Sequence, residues 1–152
     1  MRKKNLVALF HALSGAAGIL VSLFSKGQIR LPEQPVKSVG FTIFGLGGLL
    51  FAYAVAYLRG GFEGNVDPVT EDLVTEGPYR FVRHPLYLAM LVMCMGLAIG
   101  LRSICGLAMT VLVFFPLCIY RARLEEEALE LRFGKEWRDY SDRTDFIIPF
   151  VY

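Results

Sequence analysis

Four long runs without a single Asp, Glu, Lys or Arg constrain the fold of this 152-residue chain more than any other feature. They cover residues 5–24, 38–58, 85–101 and 103–120. A hydrocarbon core of about 30 Å needs roughly 20 helical residues, with about 17 as the lower limit, so each run is long enough to cross a bilayer. Strands fit poorly, because no run alternates apolar and polar residues. The runs predict an all-α integral membrane helical bundle of about four transmembrane helices.

Composition excludes several other classes of protein. Hydrophobic residues make up 55% of the chain and charged residues only 20%, confined to short blocks between the runs. A soluble domain of this size needs charge spread over its exterior, and a disordered chain needs fewer apolar residues. The net charge of +2 is too small to imply an anionic partner, so no nucleic acid is expected.

The runs divide the chain into two parts. Residues 1–59 are predicted to form an N-terminal two-span helical hairpin, and residues 60–152 hold a loop, a tight two-span hairpin and a polar tail. The basic start of the chain is also typical of a signal peptide, but the first run is long for a signal and no small-x-small cleavage site follows it. The loop at 60–76 is interpreted as a solvated linker that becomes a lid near Asp72.

The basic residues predict an orientation in the membrane. With four spans, the N-terminus, the middle loop and the tail share one side, which holds 12 Lys and Arg residues against four on the other. Because cytoplasmic loops carry the excess of Lys and Arg, both termini are predicted to be cytoplasmic. The small chain favours a bacterial or archaeal cell membrane. Of the 14 acidic residues only Glu33 lies on the far side, so polar chemistry is expected on the cytoplasmic face.

Small residues predict where the helices pack closely. Gly96 and Gly100 form a GxxxG step in the third run, and Gly48, Ala52 and Ala56 form a stripe in the second. Such stripes let helix backbones approach each other in lipid.

One polar cluster lies at the start of the third run. Pro85 suits the first turn of a helix, which places Arg83 and His84 at its N-terminus and Tyr87 one turn inside. The free N–H groups of a helix N-terminus attract carboxylates and phosphates. Arg83 and His84 are therefore predicted to have a function beyond anchoring the helix at the interface.

A second polar cluster follows the fourth run. Glu125 and Glu126 begin a segment whose apolar stripe of Leu124, Ala128 and Leu131 predicts a C-terminal cytoplasmic amphipathic helix. Since the third and fourth runs have nearly equal lengths, the hairpin should bring these glutamates beside Arg83, His84 and Tyr87. His11, in the first run, is interpreted as a residue of helix packing.

These motifs resemble those of known membrane enzymes. The chain is similar to the isoprenylcysteine carboxyl methyltransferases and the related phospholipid methyltransferases over residues 73–150. The resemblance is carried by Arg83-His84-Pro85-Leu86-Tyr87, by Glu125-Glu126-Glu127-Ala128-Leu129, and by the tail with Trp137, Tyr140, Arg143 and Pro149. The tail, together with the RHPxY motif, also resembles the C-terminus of NADPH-dependent sterol reductases.

The first resemblance implies S-adenosylmethionine as the cofactor. No metal is expected, because the two histidines lie 73 positions apart and give no metal-binding spacing. Arg83, His84 and Tyr87 would hold the methionine end of the cofactor, and Glu125 and Glu126 its amino or ribose groups. Glu126 and Arg143 would be catalytic, with Arg143 near the acceptor carboxylate. The chain departs from the family pattern in two places. Ala89 replaces a glycine, which would narrow the approach of the cofactor, and Thr144-Asp145 replaces Val-Pro after the arginine.

The implied reaction is methyl transfer to a lipophilic or lipidated acceptor drawn from the membrane lipid phase. The expected acceptor is the carboxylate of a prenylcysteine-like substrate, because a carboxyl group with a pKa near 3.5 is ionised at neutral pH and needs no general base. The alternatives are an NADPH-dependent sterol reductase and a phospholipid amine N-methyltransferase. The sequence makes no prediction about the oligomeric state.

Overall fold

Helices make up most of the part of the chain that the structure, a computed structural model, describes. That part comprises residues 2–58 and 72–150, with side chains from residue 6 onward. The helices are α1 (Arg2–Phe24), α2 (Glu33–Tyr57), a 3-10 turn (Gly77–Arg80), α3 (Pro85–Gly100), α4 (Ile104–Met109), a π turn (Thr110–Phe114), α5 (Phe115–Phe133) and α6 (Lys135–Ser141). Residues 60–71 of the predicted linker and lid lie outside the described residues.

The predicted all-α membrane bundle is confirmed. Three helices in the described ranges are long and apolar enough to cross a membrane, and they cover Leu6–Phe24, Glu33–Tyr57 and Ile104–Phe133. The third run forms the shorter apolar helix α3, of 16 residues. The fourth run differs from expectation in one respect. It continues through the π turn into the glutamate segment, so the amphipathic helix is the second half of one long helix, Ile104–Phe133.

Close approach of backbones joins α2 to α3, which pack together more extensively than any other pair of helices. A Cβ on Gly40 would lie under 3.0 Å from backbone atoms of Gly100, and one on Gly96 would lie equally close to the backbone of Phe44. The predicted role of Gly96 and Gly100 in packing is therefore confirmed.

The predicted stripe of Gly48, Ala52 and Ala56 is wrong. Ala52 and Ala56 are exposed, and a Cβ on Gly48 would meet nothing within 4 Å. The buried small residues of α2 are Gly40, Gly47 and Ala54, which are spaced seven apart. A spacing of seven also returns to one helix face, and tertiary packing selects that face.

The long helix changes its winding within its apolar first half, at the π turn Thr110–Phe114. Pro116 has no N–H to donate to a carbonyl four residues earlier. In the turn before it, the N–H of Phe115 donates to the carbonyl of Thr110, five residues back. Such π turns relieve strain in a helix and often occur at functional sites. The turn precedes Cys118, Arg121 and Glu125 on the same helix.

Arg102 lies in the turn between α3 and α4, at the end of α3 opposite the glutamates. Its backbone φ is 59°, and its guanidinium donates to the carbonyl of Ile29 at 3.0 and 2.5 Å and pairs with Glu33 at 3.3 Å. Ser103 then caps α4 by accepting from the N–H of Gly106 at 2.8 Å. The bonds of Arg102 hold the segment between α1 and α2 against the turn between α3 and α4.

Candidate active site

The two predicted polar clusters meet at the N-terminus of α3. Nε of Arg83 donates to Oε1 of Glu126 at 2.6 Å, and the hydroxyl of Tyr87 donates to Oε1 of Glu125 at 2.5 Å. Nε of Arg121 lies 3.3 Å from that same Glu125 oxygen. We call these five residues and His84 the polar site. The structure thus brings together five of the six residues predicted for the site, because the hairpin returns α5 beside the start of α3.

His84 lies between the two carboxylates and is almost fully buried. Its Nδ1 is 3.8 Å from Oε2 of Glu125, and its Nε2 is 3.4 Å from Oε1 of Glu126. Although Nε2 is close to that oxygen, it makes no hydrogen bond within the described part of the chain. A second buried polar atom without a partner among the described residues is the hydroxyl of Tyr79. Buried polar atoms are normally satisfied, so these two atoms are candidates for bonding to a polar ligand.

The C-terminal tail closes one side of the polar site. The N–H groups of Arg83 and His84 donate to the carbonyls of Asp145 and Phe146 at 2.8 and 3.1 Å. Arg83 also donates through Nη1 to the carbonyls of Ser141 and Thr144. The N–H of Asp145 also donates to the carbonyl of Phe81 at 3.1 Å, a bond that a proline at this position could not make.

Aromatic rings line the same region. The Phe146 ring has the guanidinium carbons of Arg83 and Arg123 at 5.7 and 5.6 Å from its centroid, and His84 meets its edge at 5.3 Å. The hydroxyl of Tyr140 donates to the carbonyl of Tyr79 at 2.7 Å. Burial raises the pKa of Tyr79 and of Tyr140, so both phenols stay protonated at neutral pH.

Arg143 stands apart from the other predicted residues. Its side chain is exposed, and its backbone N–H donates to the carbonyl of Tyr140 at 3.3 Å. The structure therefore does not bring it into contact with the polar site. Ala89 is fully buried, and its carbonyl oxygen lies 3.1 Å from where a Cβ on Gly47 would be, so this part of α3 packs against α2.

Three residues in or beside the polar site are not among those predicted for it from the sequence: Arg121, which belongs to the site, His11, which is predicted only as a residue of helix packing, and Phe146. An arginine four residues before Glu125 on one predicted helix is a signal for an ion pair that the sequence does carry. No signal in the sequence could place His11 or Phe146, because each reaches the site through tertiary packing.

The polar site can bind a ligand that carries both signs of charge. The side chains of Glu125 and Glu126 are 20% and 23% exposed, so each carboxylate keeps accessible surface for a ligand ammonium or hydroxyl. Arg83, Arg121 and the N-terminus of α3 offer donors for a carboxylate or phosphate. Among the described residues, no group of three or more His, Cys, Asp or Glu side chains could hold a metal ion.

Fold and site together define an all-α membrane bundle with a buried polar site at one end of a short apolar hairpin. The family model described as phospholipid methyltransferase matches residues 36–136, more than half of the chain. The chain belongs to the phospholipid methyltransferase family, which the isoprenylcysteine O-methyltransferases among its relatives share.

Curated relatives extend this similarity. The chain is 39% identical over 87 residues to the protein-S-isoprenylcysteine O-methyltransferase of Mus musculus. This match covers 54% of this chain and 29% of the relative. The chain is 31% identical over 122 residues to protein-S-isoprenylcysteine O-methyltransferase B of Arabidopsis thaliana, covering 76% and 60%. It is also 33% identical over 86 residues to a delta(14)-sterol reductase of Mus musculus, covering 53% and 20%. The matched region is thus less than two thirds of each of these relatives.

Proposed function

We propose that the protein is a membrane methyltransferase that uses S-adenosylmethionine to methylate the carboxylate of a prenylcysteine-like lipophilic acceptor. The observation that carries this proposal is the pair of half-buried glutamates held by Arg83, His84, Tyr87 and Arg121 at one end of the α3 hairpin. The names of the relatives from mouse and Arabidopsis support this substrate class.

The residues of the polar site fit such a cofactor. S-adenosylmethionine supplies a methyl group activated by its sulfonium, and it carries an ammonium, a carboxylate and a ribose diol. Glu125 and Glu126 would accept hydrogen bonds from the ammonium or the diol, and Arg83 would donate to the carboxylate. The partnerless Nε2 of His84 and the hydroxyl of Tyr79 add two polar atoms that a ligand can satisfy.

The chain's own contribution to the reaction is positioning and desolvation. An ionised carboxylate is already a nucleophile, so no side chain has to remove a proton. The buried rings of Tyr79 and Tyr87 and the partly buried ring of Phe146 would limit the access of water to a bound ligand, which strengthens charge interactions. Arg143, exposed beside the tail, would orient the acceptor carboxylate with its planar donors.

Two other functions each have a specific observation in their favour. The match to a delta(14)-sterol reductase favours a reductase that uses NADPH. The family model favours a phospholipid amine as methyl acceptor. An ammonium must lose a proton before it can be methylated, so that reaction would need a base, and Glu125 or Glu126 is the nearest candidate.

Calorimetric titration of the detergent-purified protein with S-adenosylmethionine and with NADPH tests the cofactor, and a prenylcysteine acid and phosphatidylethanolamine then test the acceptor. We expect binding of S-adenosylmethionine and methyl ester formation. Arg143→Ala should raise KM for the acceptor about tenfold while leaving cofactor affinity unchanged, since one lost charged hydrogen bond is worth about 1.5–3 kcal/mol. Binding of NADPH alone would overturn the proposal, and methylation of the amine alone would overturn its acceptor.

A further inference from the structure

His11 joins the first membrane helix to the polar site. It lies on α1 and is only 4% exposed. Its ring stacks on Phe114 with centroids 5.0 Å apart, and it meets the edge of Tyr87 at 5.3 Å. Phe114 is the last residue of the π turn, so His11 packs where the long helix changes its winding.

Both ring nitrogens of His11 have partners on the long helix. Nδ1 lies 3.4 Å from Nη1 of Arg121, and Nε2 lies 3.3 Å from Sγ of Cys118. A guanidinium can only donate, so Nδ1 must accept. A neutral imidazole then carries its proton on Nε2, which donates to the sulfur. The two contacts together assign one protonation state and one tautomer to His11.

Two residues that contact His11 also contact the same carboxylate oxygen of Glu125. Arg121 approaches Oε1 of Glu125 through Nε at 3.3 Å, and Tyr87 donates to that oxygen at 2.5 Å. His11 touches both Arg121 and Tyr87, but it does not touch Glu125 itself. It can therefore affect the carboxylate only by holding these two side chains.

The other buried polar residues on α1 behave differently. The hydroxyls of Ser14 and Ser22 donate to carbonyls of their own helix, at His11 and Gly18, both at 2.8 Å. Such bonds satisfy a hydroxyl within α1 and need no neighbour. Only His11 among these three bonds across helices to the residues of the polar site.

We propose that His11 is a positioning residue: as a neutral imidazole accepting from Arg121, it orients the guanidinium that holds Glu125. The part of this inference that concerns a cofactor rests on the proposed function. The arrangement of Arg121 and Glu125 does not.

Nitrogen NMR of histidine-labelled protein in detergent tests the arrangement without any cofactor. The chain has two histidines, so His11→Phe assigns the signals. We expect a pyridine-like Nδ1 and a protonated Nε2 for His11, and a shift of the Nδ1 signal in Arg121→Leu. A protonated Nδ1, or a signal that Arg121→Leu leaves in place, would overturn the proposal.

Cofactor titration tests the consequence for the polar site. His11→Phe keeps an aromatic ring on Phe114 but removes the acceptor, and it should weaken S-adenosylmethionine binding about tenfold. His11→Asn, whose amide oxygen can take the place of Nδ1, should restore most of that affinity. Ser14→Ala, one turn further along α1 and buried, is the matched control and should leave it unchanged.

The double variant shows through which residue His11 acts. In the Glu125→Gln background, adding His11→Phe should weaken binding by less than twofold, because the carboxylate that His11 orients is already gone. The positioning role would be overturned if the effects of the two substitutions on binding free energy were fully additive. It would also be overturned if His11→Phe alone left binding unchanged, and in both cases the proposed function would remain intact. If the wild-type protein binds no S-adenosylmethionine, the proposed function fails, and the nitrogen signals alone decide whether His11 orients Arg121.

Discussion

A single guanidinium connects the polar site to the C-terminal tail. Arg83 binds the carboxylate of Glu126 and the carbonyls of Ser141 and Thr144, so its donors are divided between two parts of the chain. Arg suits this role because its donors are arranged in a rigid plane. The side chain is only 13% exposed, so its charge depends on these partners rather than on water.

Removing one charge of the pair between Arg83 and Glu126 should lower both the stability of the protein and its affinity for the cofactor. In Glu126→Gln, Arg83 and His84 lose their carboxylate, and we expect unfolding free energy to fall by about 1–3 kcal/mol, as for a buried charged partner left unsatisfied. Affinity for S-adenosylmethionine should fall at least tenfold. Thermal unfolding in detergent and calorimetry measure the two effects.

Glu130→Gln is the matched control for that variant. Glu130 lies one turn further along α5 and pairs with Arg138 at 3.3 Å, but both side chains are more than half exposed. Such pairs contribute about 0–1 kcal/mol. Equal effects of the two substitutions would contradict the special role of the pair between Arg83 and Glu126.

At this scale, much of the polar site could be predicted from the sequence. Arg83, His84, Tyr87, Glu125 and Glu126 flank two adjacent runs of similar length, so hairpin geometry alone places them together. His11 could not be predicted, because the sequence does not say which face of the first helix meets α5. The exposure of Arg143 depends on the turn after α6, which no periodic pattern describes.

Single glycines at the interface of α2 and α3 determine how closely these two helices pack. Gly96→Leu would force a side chain against the backbone of α2. It should lower the free energy of unfolding by about 1–3 kcal/mol or more, the cost of overpacking a core. Gly45→Leu is the control, since a Cβ there meets nothing within 4 Å. Thermal unfolding of both variants in detergent measures the difference. Similar melting temperatures would show that this interface contributes little.

The sequence predicted the glycine step of α3 correctly and the stripe of α2 wrongly for one physical reason. In α3, Gly96 and Gly100 are the glycines of that run, so the choice of face is unambiguous. In α2, several small residues offer competing faces, and their spacing alone cannot select among them. The continuation of the fourth span into the glutamate segment also differs from the prediction of a separate amphipathic helix, and the π turn lets this long helix pass Pro116 without ending.

At the scale of the molecule, the distribution of charge makes a prediction about topology. We expect both termini and the polar site to face the cytoplasm, because 12 basic residues lie on that side and four on the other. In a Cys105→Ser background, Lys26→Cys should react with a membrane-impermeant maleimide in intact cells. Asp139→Cys, which is exposed on α6, should react only after permeabilisation. The reverse pattern would invert the topology.

The shortness of α3 has a consequence for how substrates arrive. Its 16 residues rise roughly 24 Å at about 1.5 Å per residue, whereas the hydrocarbon core measures about 30 Å. A helix that is too short thins the bilayer around it or draws its ends below the headgroups. In the second case, the end of α3 that carries Arg83 and His84 would lie at the depth of the acyl chains. An amphiphile diffusing in that leaflet can then present its polar end to the glutamates without leaving the membrane.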